Sequence, residues 1–151
     1  MTPRHTARGI VVHDGKLLLM ERWRPGLHYF SIPGGGIETG EQPEETVVRE
    51  IREETGLQVT TGRQVLEMRD GETRHRMYLC QYVSGEPHLP ADSPEARHAT
   101  PDNRFQPGWV AIGDVARLPF TYWQPLQVPL VAGLTQGFSE QVIIVSAVES
   151  R

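Results

Sequence analysis

The segment from residue 35 to residue 57 constrains this chain more than any other, because it leads from a glycine-rich loop directly into a helix. Between Pro43 and Gly56 the sequence contains neither proline nor glycine. Proline is favoured in the first turn of a helix, and glycine in the left-handed position just beyond its end. The pattern therefore predicts a helix over residues 42–55.

Three carboxylates, Glu50, Glu53 and Glu54, lie within five residues of this helix. Spacings of three and four residues place them on one side, where like charges repel by about 0.2–0.5 kcal/mol per pair. On a helical wheel they fill the flank beside the apolar arc, with Glu54 nearest to the core. A bound Mg²⁺ or Mn²⁺ would offset the repulsion, because both ions prefer oxygen ligands.

The helical wheel also predicts which side chains face the core and which face solvent. The largely apolar arc consists of Glu44, Val47, Val48, Ile51 and Thr55. The far side consists of Glu45, Arg49 and Arg52. The acids are therefore expected at the rim, where the helix meets a sheet, rather than on the outward face.

The rest of the chain predicts a layered α/β or α+β domain, because β-rich runs lie on both sides of the helix. Asp-Gly pairs at 14–15 and 70–71 indicate two hairpin turns. Strands are predicted at residues 5–12, 16–23, 29–32, 59–69, 73–83, 109–111 and 140–148. Helices are predicted at residues 113–117 and between residues 122 and 136. The long stretch 85–107 is a candidate functional loop.

The length of 151 residues suits a single domain covering residues 1–151. The net charge of −4 argues against a non-specific nucleic-acid binder, which needs a basic face. The first nine residues contain no apolar run, and the aliphatic stretch 142–145 is far too short for a membrane span. We therefore expect a cytoplasmic protein. Its one cysteine, Cys80, is predicted to be a buried strand residue rather than a nucleophile.

The segment 35–57 resembles the signature of the Nudix hydrolases, G-x5-E-x7-R-E-U-x-E-E-x-G-U, in which U is bulky and aliphatic. All nine fixed positions match: Gly35, Glu41, Arg49, Glu50, Ile51, Glu53, Glu54, Gly56 and Leu57. The resemblance implies an α/β/α sandwich around a mixed central sheet, with the signature as a loop–helix–loop. It also implies hydrolysis of a nucleoside diphosphate linked to another group, with Mg²⁺ or Mn²⁺ as the cofactor.

The same resemblance implies a role for each polar residue of the signature. Glu50 and Glu54 would bind the metal, and Glu53 would bind it or act as the catalytic base. Arg49 would orient a carboxylate through a salt bridge, and Gly35 or its neighbour Gly36 would offer a carbonyl oxygen to the metal. Glu41 would brace the loop by accepting backbone hydrogen bonds.

Two further groups are candidates because of their positions in the sequence. Glu95 lies in the loose loop, and the resemblance implies that an acid from a late loop completes the metal site or acts as the general base. Asp92 and Asp102 compete with Glu95 for this role. Arg22 and Arg24 lie close to the glycine loop and are candidates for contact with the substrate, although ordinary surface arginines fit the same positions.

The aromatic and histidine residues give weaker indications. Trp109 and Trp123 are interpreted as core residues, while Phe105 and Tyr29 remain open between the core and a substrate contact. The six histidines lack a metal-ligand spacing and are interpreted as surface or strand residues.

The sequence thus predicts a hydrolase that cleaves the phosphoanhydride (pyrophosphate) bond of a nucleotide-type small molecule. The sequence cues of several Nudix subgroups are absent, which leaves a nucleoside triphosphate, including an oxidised one, as the candidate substrate by elimination. A nucleotide-binding sensor with little turnover is the alternative, and a structural domain with a solvated acidic helix is a third reading. Missing G-K-[ST] and G-x-S-x-G motifs argue against a P-loop protein and a serine hydrolase. A homodimer is left open.

Overall fold

A computed structural model describes residues 4–148 of the chain, so residues 1–3 and 149–151 of the predicted domain lie outside the described part. The first hairpin joins strand β1 (Arg4–His13) to strand β2 (Lys16–Arg24). Its two turn residues, Asp14 and Gly15, both have positive φ, at 51° and 72°. This is the two-residue turn that an Asp-Gly pair favours, because its twist matches that of the strands.

The other elements follow in chain order. The strands are β3 (Leu27–Ser31), β4 (Gly34–Gly36), β5 (Gln58–Asp70), β6 (Thr73–Ser84), β7 (Arg104–Ala111) and β8 (Ile143–Ser146). The α-helices are α1 (Pro43–Thr55), α2 (Pro94–Arg97) and α3 (Gln124–Gln136). Two 3₁₀ turns cover Ile112–Arg117 and Thr121–Trp123.

Within the described residues, the strands form one eight-stranded mixed sheet in the order β3-β2-β1-β6-β5-β8, with β4 paired to β1 and β7 to β2. The pairs β1–β6 and β5–β8 are parallel, and the remaining pairs are antiparallel. Side chains of α1 pack in one apolar cluster and side chains of α3 in another. The predicted α/β/α sandwich around a mixed sheet is therefore confirmed.

Alternation along the strands explains the two clusters. In β2, Leu17 and Leu19 belong to the cluster that contains α3, while Leu18 between them belongs to the cluster that contains α1. Neighbouring residues of a strand point to opposite faces of the sheet, so a run of leucines serves both layers. All three side chains are at most 1% exposed.

In the described part of the chain, neither long helix has the length and apolar character of a membrane span.

Several predicted bounds were wrong. Strand β7 begins at Arg104 and not at residue 109, so the loose loop is shorter and contains α2. Strand β8 covers only Ile143–Ser146 of the predicted 140–148. The short strand β4 was missed, because three glycines lack the side chains by which a strand is recognised.

The predicted faces of α1 were wrong at several positions. Glu44 and Val48, which the wheel placed towards the core, are exposed, whereas Thr46 is completely buried. The Thr46 hydroxyl, which the wheel placed on neither face, donates to Glu41 at 2.5 Å and is thereby satisfied in its buried position. Arg49, placed by the wheel on the far side, has a side chain only 20% exposed, because it folds back over the preceding loop.

Strands β1 and β2 separate beyond their turn, and this opens a gap in the sheet. They pair only at Val12–Leu17 and His13–Lys16. Farther along, β1 pairs with β4 and β2 with β3, while β7 pairs with β2 from Lys16 to Trp23. The gap lies beside the acidic flank of α1 and positions the candidate site.

Candidate active site

The glycine strand β4 holds the acidic helix against β1 through two close contacts. The Gly34 N–H donates to the Glu54 carboxylate at 3.1 Å. A Cβ atom on Gly35 would lie 2.5 Å from the Glu50 carboxyl carbon, so a side chain at residue 35 would displace that carboxylate. Glycine is therefore needed here because a carboxylate of α1 occupies the space of a side chain.

Arg49 connects the loop to the helix through hydrogen bonds from its whole guanidinium group. Its Nε and Nη2 donate to the two oxygens of Glu41, at 2.7 and 3.0 Å, and Nη2 also donates to the Gly36 carbonyl at 3.3 Å. Its Nη1 donates to Glu50 at 2.9 Å and to Glu53 at 3.2 Å. These contacts fix the position of Glu50 relative to the glycine strand.

The carboxylate of Glu41 is stabilised in its charged form. Hydrogen bonds from Arg49 and Thr46 lower the pKa of Glu41 to about 2. The Glu38 N–H also donates to Glu41, at 3.1 Å. Glu41 thus accepts both backbone and side-chain hydrogen bonds and ties the turn that precedes α1 to the helix.

Glu50 and Glu54 lie in an environment that opposes their negative charges. Burial raises the pKa of Glu54 to about 8, and the neighbouring carboxylates of Glu50 and Glu95 add to the effect. Burial also raises the pKa of Glu50, against the opposing influence of Arg49. Crowded, partly buried carboxylates of this kind favour a bound cation.

The gap in the sheet contains a cavity of about 390 Å³, large enough for a small organic ligand. Acids line one part of it: Glu50 and Glu54 from α1, and Glu95 from α2. Arginines line another part: Arg4, Arg8 and Arg22. Three aromatic side chains also line it: Tyr29, Phe105 and Trp123. The cavity therefore offers both cation-binding and anion-binding groups.

The structure separates the predicted site residues into two groups. Glu50, Glu54 and Glu95 line the cavity, as do Arg22 and Gly35. The remaining predicted residues do not line this cavity: Glu53, Arg49, Arg24, Asp92 and Asp102.

The positions of those remaining residues are clear. The Glu53 side chain is 48% exposed and contacts Arg49. Arg24 is exposed at the end of β2. Asp92 lines a different depression with Arg52, while Asp102 lies exposed in a turn. Among the loop acids, the geometry therefore brings Glu95 alone to the cavity.

Sequence reasoning missed Arg4, Arg8 and the role of Trp123 as a cavity wall. Trp123 packs against the core, as predicted, and its ring also lies 4.7 Å from the Arg8 guanidinium carbon. Thr121, which has a positive φ of 54°, begins the 3₁₀ turn that carries Trp123. The segment before α3 contains no motif that would signal a ligand, so local sequence could not reveal these contacts.

The acids suit a divalent cation, although they do not enclose one. Within residues 4–148, no three histidine, cysteine, aspartate or glutamate side chains converge closely enough to form a complete metal site. Mg²⁺ characteristically binds one or two protein carboxylates and completes its shell with water and substrate phosphates. The donor set of Glu50 and Glu54, with Glu95 nearby, fits that mode of binding.

A family model described as the NUDIX domain matches residues 3–131. The chain belongs to the Nudix family. The match includes the signature helix α1, the loop that carries Glu95 and the first part of α3. The resemblance found in residues 35–57 therefore extends over most of the chain.

One curated relative is the ADP-ribose pyrophosphatase of Methanocaldococcus jannaschii, which is 50% identical over 56 residues. That match covers 36% of this chain and 33% of the relative. The chain thus spans about a third of the length of the curated relatives that it matches.

Solved Nudix structures resemble the chain over a greater length. A MutT NUDIX hydrolase from Burkholderia pseudomallei has a TM-score of 0.60 and 29% identity, over 85% of this chain and 97% of that one. A NUDIX hydrolase from Nitrosomonas europaea has a TM-score of 0.73 and 13% identity, over 97% of this chain and 80% of that one. The second likeness concerns the fold alone.

Proposed function

We propose that this chain is a Nudix pyrophosphohydrolase that uses Mg²⁺ or Mn²⁺ to cleave a phosphoanhydride bond in a nucleotide-type small molecule. The observation that carries the proposal is the cavity, whose lining combines Glu50, Glu54 and Glu95 with three arginines. A metal-bound diphosphate presents charges of both signs, so it complements such a cavity. The aromatic residues offer flat apolar surfaces for a base or sugar.

The comparisons support the reaction class and leave the substrate broad. The relative from M. jannaschii is named an ADP-ribose pyrophosphatase, and another, from Pseudoalteromonas translucida, is named an RNA pyrophosphohydrolase. Both names denote cleavage of a pyrophosphate bond. We therefore propose a nucleoside triphosphate or a nucleoside diphosphate derivative as the substrate of this chain.

In the proposed mechanism, Glu50 and Glu54 hold the metal, with a carbonyl of Gly35 or Gly36 as a further donor. A bound divalent metal lowers the pKa of its water and neutralises charge on the phosphates. Arg49 keeps Glu50 in position through its 2.9 Å hydrogen bond. Glu53 is retained as a proposed ligand from the signature, and its contact in this structure is with Arg49.

Glu95 is the proposed general base. Among the acids that the sequence offered outside the signature, it is the one that lines the cavity. A carboxylate near the acids of α1 is suitably placed to accept a proton from the attacking water. Arg22, whose guanidinium carbon lies 4.0 Å from the Phe105 ring centre, is proposed to contact the substrate.

The test is a metal-dependent phosphate-release assay on a panel of nucleotides that includes nucleoside triphosphates, their oxidised forms and ADP-ribose. We expect turnover by the wild-type protein and a loss of several orders of magnitude in kcat for Glu54→Gln, with the fold retained. Glu44→Gln, the same change on an exposed side of α1, is the matched control and should keep normal turnover.

The outcomes of this assay separate the alternatives. Tight binding of one nucleotide without turnover across the panel would assign the chain to nucleotide sensing instead. Normal turnover by Glu54→Gln would contradict the proposed role of Glu54 as a metal ligand. A single domain over residues 1–151, a cytoplasmic location and a homodimer all remain predictions.

A further inference from the structure

Arg8 lies at the centre of the candidate site, although no motif marks it. It belongs to β1 and pairs with Gly34, the residue whose N–H contacts Glu54. Its side chain lines the same cavity as the acids of α1. Glu54 and Glu50 are the negative charges that act most strongly on its pKa.

The guanidinium of Arg8 is held by several neutral groups. Its Nη1 donates to the Ile32 carbonyl at 2.9 Å. Its Nε lies 3.3 Å from both the Thr6 hydroxyl and Nδ1 of His75. The Trp123 ring lies below, with its centre 4.7 Å from the guanidinium carbon. A long side chain is thus fixed in one orientation before any ligand binds.

This fixed guanidinium lacks a partner of opposite charge in the protein. Among residues 4–148, no carboxylate lies within ion-pair distance of Arg8, and its Nη2 group makes no hydrogen bond. Burial lowers the pKa of Arg8, although the charged form is retained. An ordered and partly buried cation with free donors at a cavity wall indicates an anionic ligand.

The Thr6–His75 pair determines how Arg8 is held. An arginine Nε always donates, so its 3.3 Å hydrogen bond to Nδ1 of His75 is made in the tautomer that carries the imidazole proton on Nε2. The Thr6 hydroxyl lies 2.8 Å from the same Nδ1. Thr6 and His75 face each other across the parallel pair β1–β6, which makes the arrangement part of the sheet. A neutral His75 therefore acts as an acceptor that orients Arg8.

We propose that Arg8 binds a phosphate group of the substrate through its free Nη2 amino group, and that His75 is a positioning residue for Arg8. The inference rests on the proposed function, because it concerns the ligand of the same cavity. Arg8 lies near both metal-binding candidates, so it contacts the diphosphate rather than a distant part of the substrate. Loss of Arg8 would therefore weaken binding of the diphosphate.

The test is calorimetric titration of inorganic pyrophosphate with Mg²⁺ into the wild-type protein, Arg8→Gln, Arg8→Lys and Arg117→Gln. We expect Arg8→Gln to weaken binding about 10- to 100-fold, as for the loss of a charge-assisted hydrogen bond. Arg8→Lys keeps the positive charge but not the planar guanidinium, so it should bind pyrophosphate several-fold more weakly than the wild-type protein. Arg117, whose side chain is 74% exposed, is the matched control and should bind normally.

Each outcome bears on the inference separately from the proposed function. Pyrophosphate binding that depends on Arg8, with no turnover of any nucleotide, would overturn the hydrolase and support the inference. Wild-type affinity in folded Arg8→Gln and Arg8→Lys would overturn the inference and leave the hydrolase. Absence of pyrophosphate binding by the wild-type protein would also overturn it. Thermal melts identify the folded variants, and Arg8→Lys decides the question if Arg8→Gln does not fold.

The positioning role has its own readout. His75→Phe keeps a ring against Trp123 but removes the acceptor, whereas His75→Asn keeps an acceptor near the position of Nδ1. We expect pyrophosphate affinity to fall about tenfold in His75→Phe and to be largely restored in His75→Asn. Equal affinity in the wild-type protein and both variants would show that His75 does not position Arg8.

Discussion

At the scale of single residues, Gly35 and Glu50 illustrate how the site depends on small distances. The carboxylate of Glu50 occupies the place of a side chain at residue 35, and Arg49 holds it there. A side chain added at Gly35 would therefore act directly on Glu50, the proposed metal ligand.

Gly35→Ala should reduce kcat strongly, because the new methyl group would lie 2.5 Å from the Glu50 carboxyl carbon and displace it. The cost in the free energy of unfolding should be about 1–3 kcal/mol, as for an overpacked site. Gly113→Ala is the matched control, since a Cβ there meets no atom within 4 Å. Phosphate-release kinetics and urea unfolding give the two quantities, and an unchanged kcat in Gly35→Ala would contradict the account.

His75 gives the protein a specific sensitivity to acid. Burial, together with Arg8 and Arg4, lowers the pKa of His75 from 6.5 to about 3. The unfolded chain therefore binds one more proton than the folded chain between these pH values. The contribution of His75 to stability is present above about pH 6.5 and is lost as the pH falls toward 3.

His75→Asn should consequently flatten the acid limb of the stability profile. Between pH 6 and pH 4, the wild-type protein should lose up to about 1.4 kcal/mol per pH unit through this one group. The measurement is urea unfolding at several pH values. His13→Gln is the matched control, because it replaces a histidine whose side chain is 41% exposed. Parallel acid limbs in the wild-type protein and His75→Asn would contradict the buried neutral imidazole.

At the scale of elements, helix α1 was predictable and its surroundings only in part. Pro43 and Gly56 mark its ends in the sequence, and Gly56 has the expected left-handed φ of 76°. The position of Glu54 nearest to the core was also correct, because helical geometry alone decides it. The predicted direction of the Arg49 side chain was wrong, because that direction depends on hydrogen bonds to Glu41 and to the Gly36 carbonyl.

The loop that carries Glu95 could not be built from the sequence. Its short helix α2 depends on Ser93, whose hydroxyl donates to the Pro90 carbonyl at 2.7 Å and accepts from the Ala96 N–H at 3.1 Å. Ser93 is only 5% exposed, which local composition does not indicate. The sequence therefore offered three loop acids without a means of choosing among them.

Ser93→Ala should loosen α2 and lower kcat several-fold, because the proposed base Glu95 would no longer be held at the cavity. Loss of such a helix cap costs about 0.5–2 kcal/mol, and here most of it should appear as local opening of the loop. Ser84→Ala, at an exposed position at the end of β6, is the matched control. Hydrogen exchange of the Ala96 amide should accelerate in Ser93→Ala, and an unchanged exchange rate would rule out the capping role.

At the scale of the whole molecule, the divergence of β1 and β2 creates the cavity. The sandwich and its mixed sheet followed from the resemblance, but the gap and its arginines Arg4 and Arg8 were not predicted. Arg8 contacts His75, 67 residues away in the sequence, through the parallel pairing of β1 with β6. Contacts across parallel strands leave no local periodicity, so a single sequence gives no means of predicting them.

The central claim concerns how this arrangement of charges is used. Glu50 and Glu54 are crowded and partly buried, so their negative charges are costly without a cation. Metal uptake should therefore depend on Glu54 and should be strongest when a nucleotide supplies further oxygen ligands.

The most direct measurement is calorimetric titration of Mn²⁺ into the pure protein in the presence of a non-hydrolysable nucleoside diphosphate derivative. The account predicts saturable uptake by the wild-type protein and by Glu44→Gln, and much weaker uptake by Glu54→Gln. Absence of specific uptake by the wild-type protein, or equal uptake by Glu54→Gln, would contradict it.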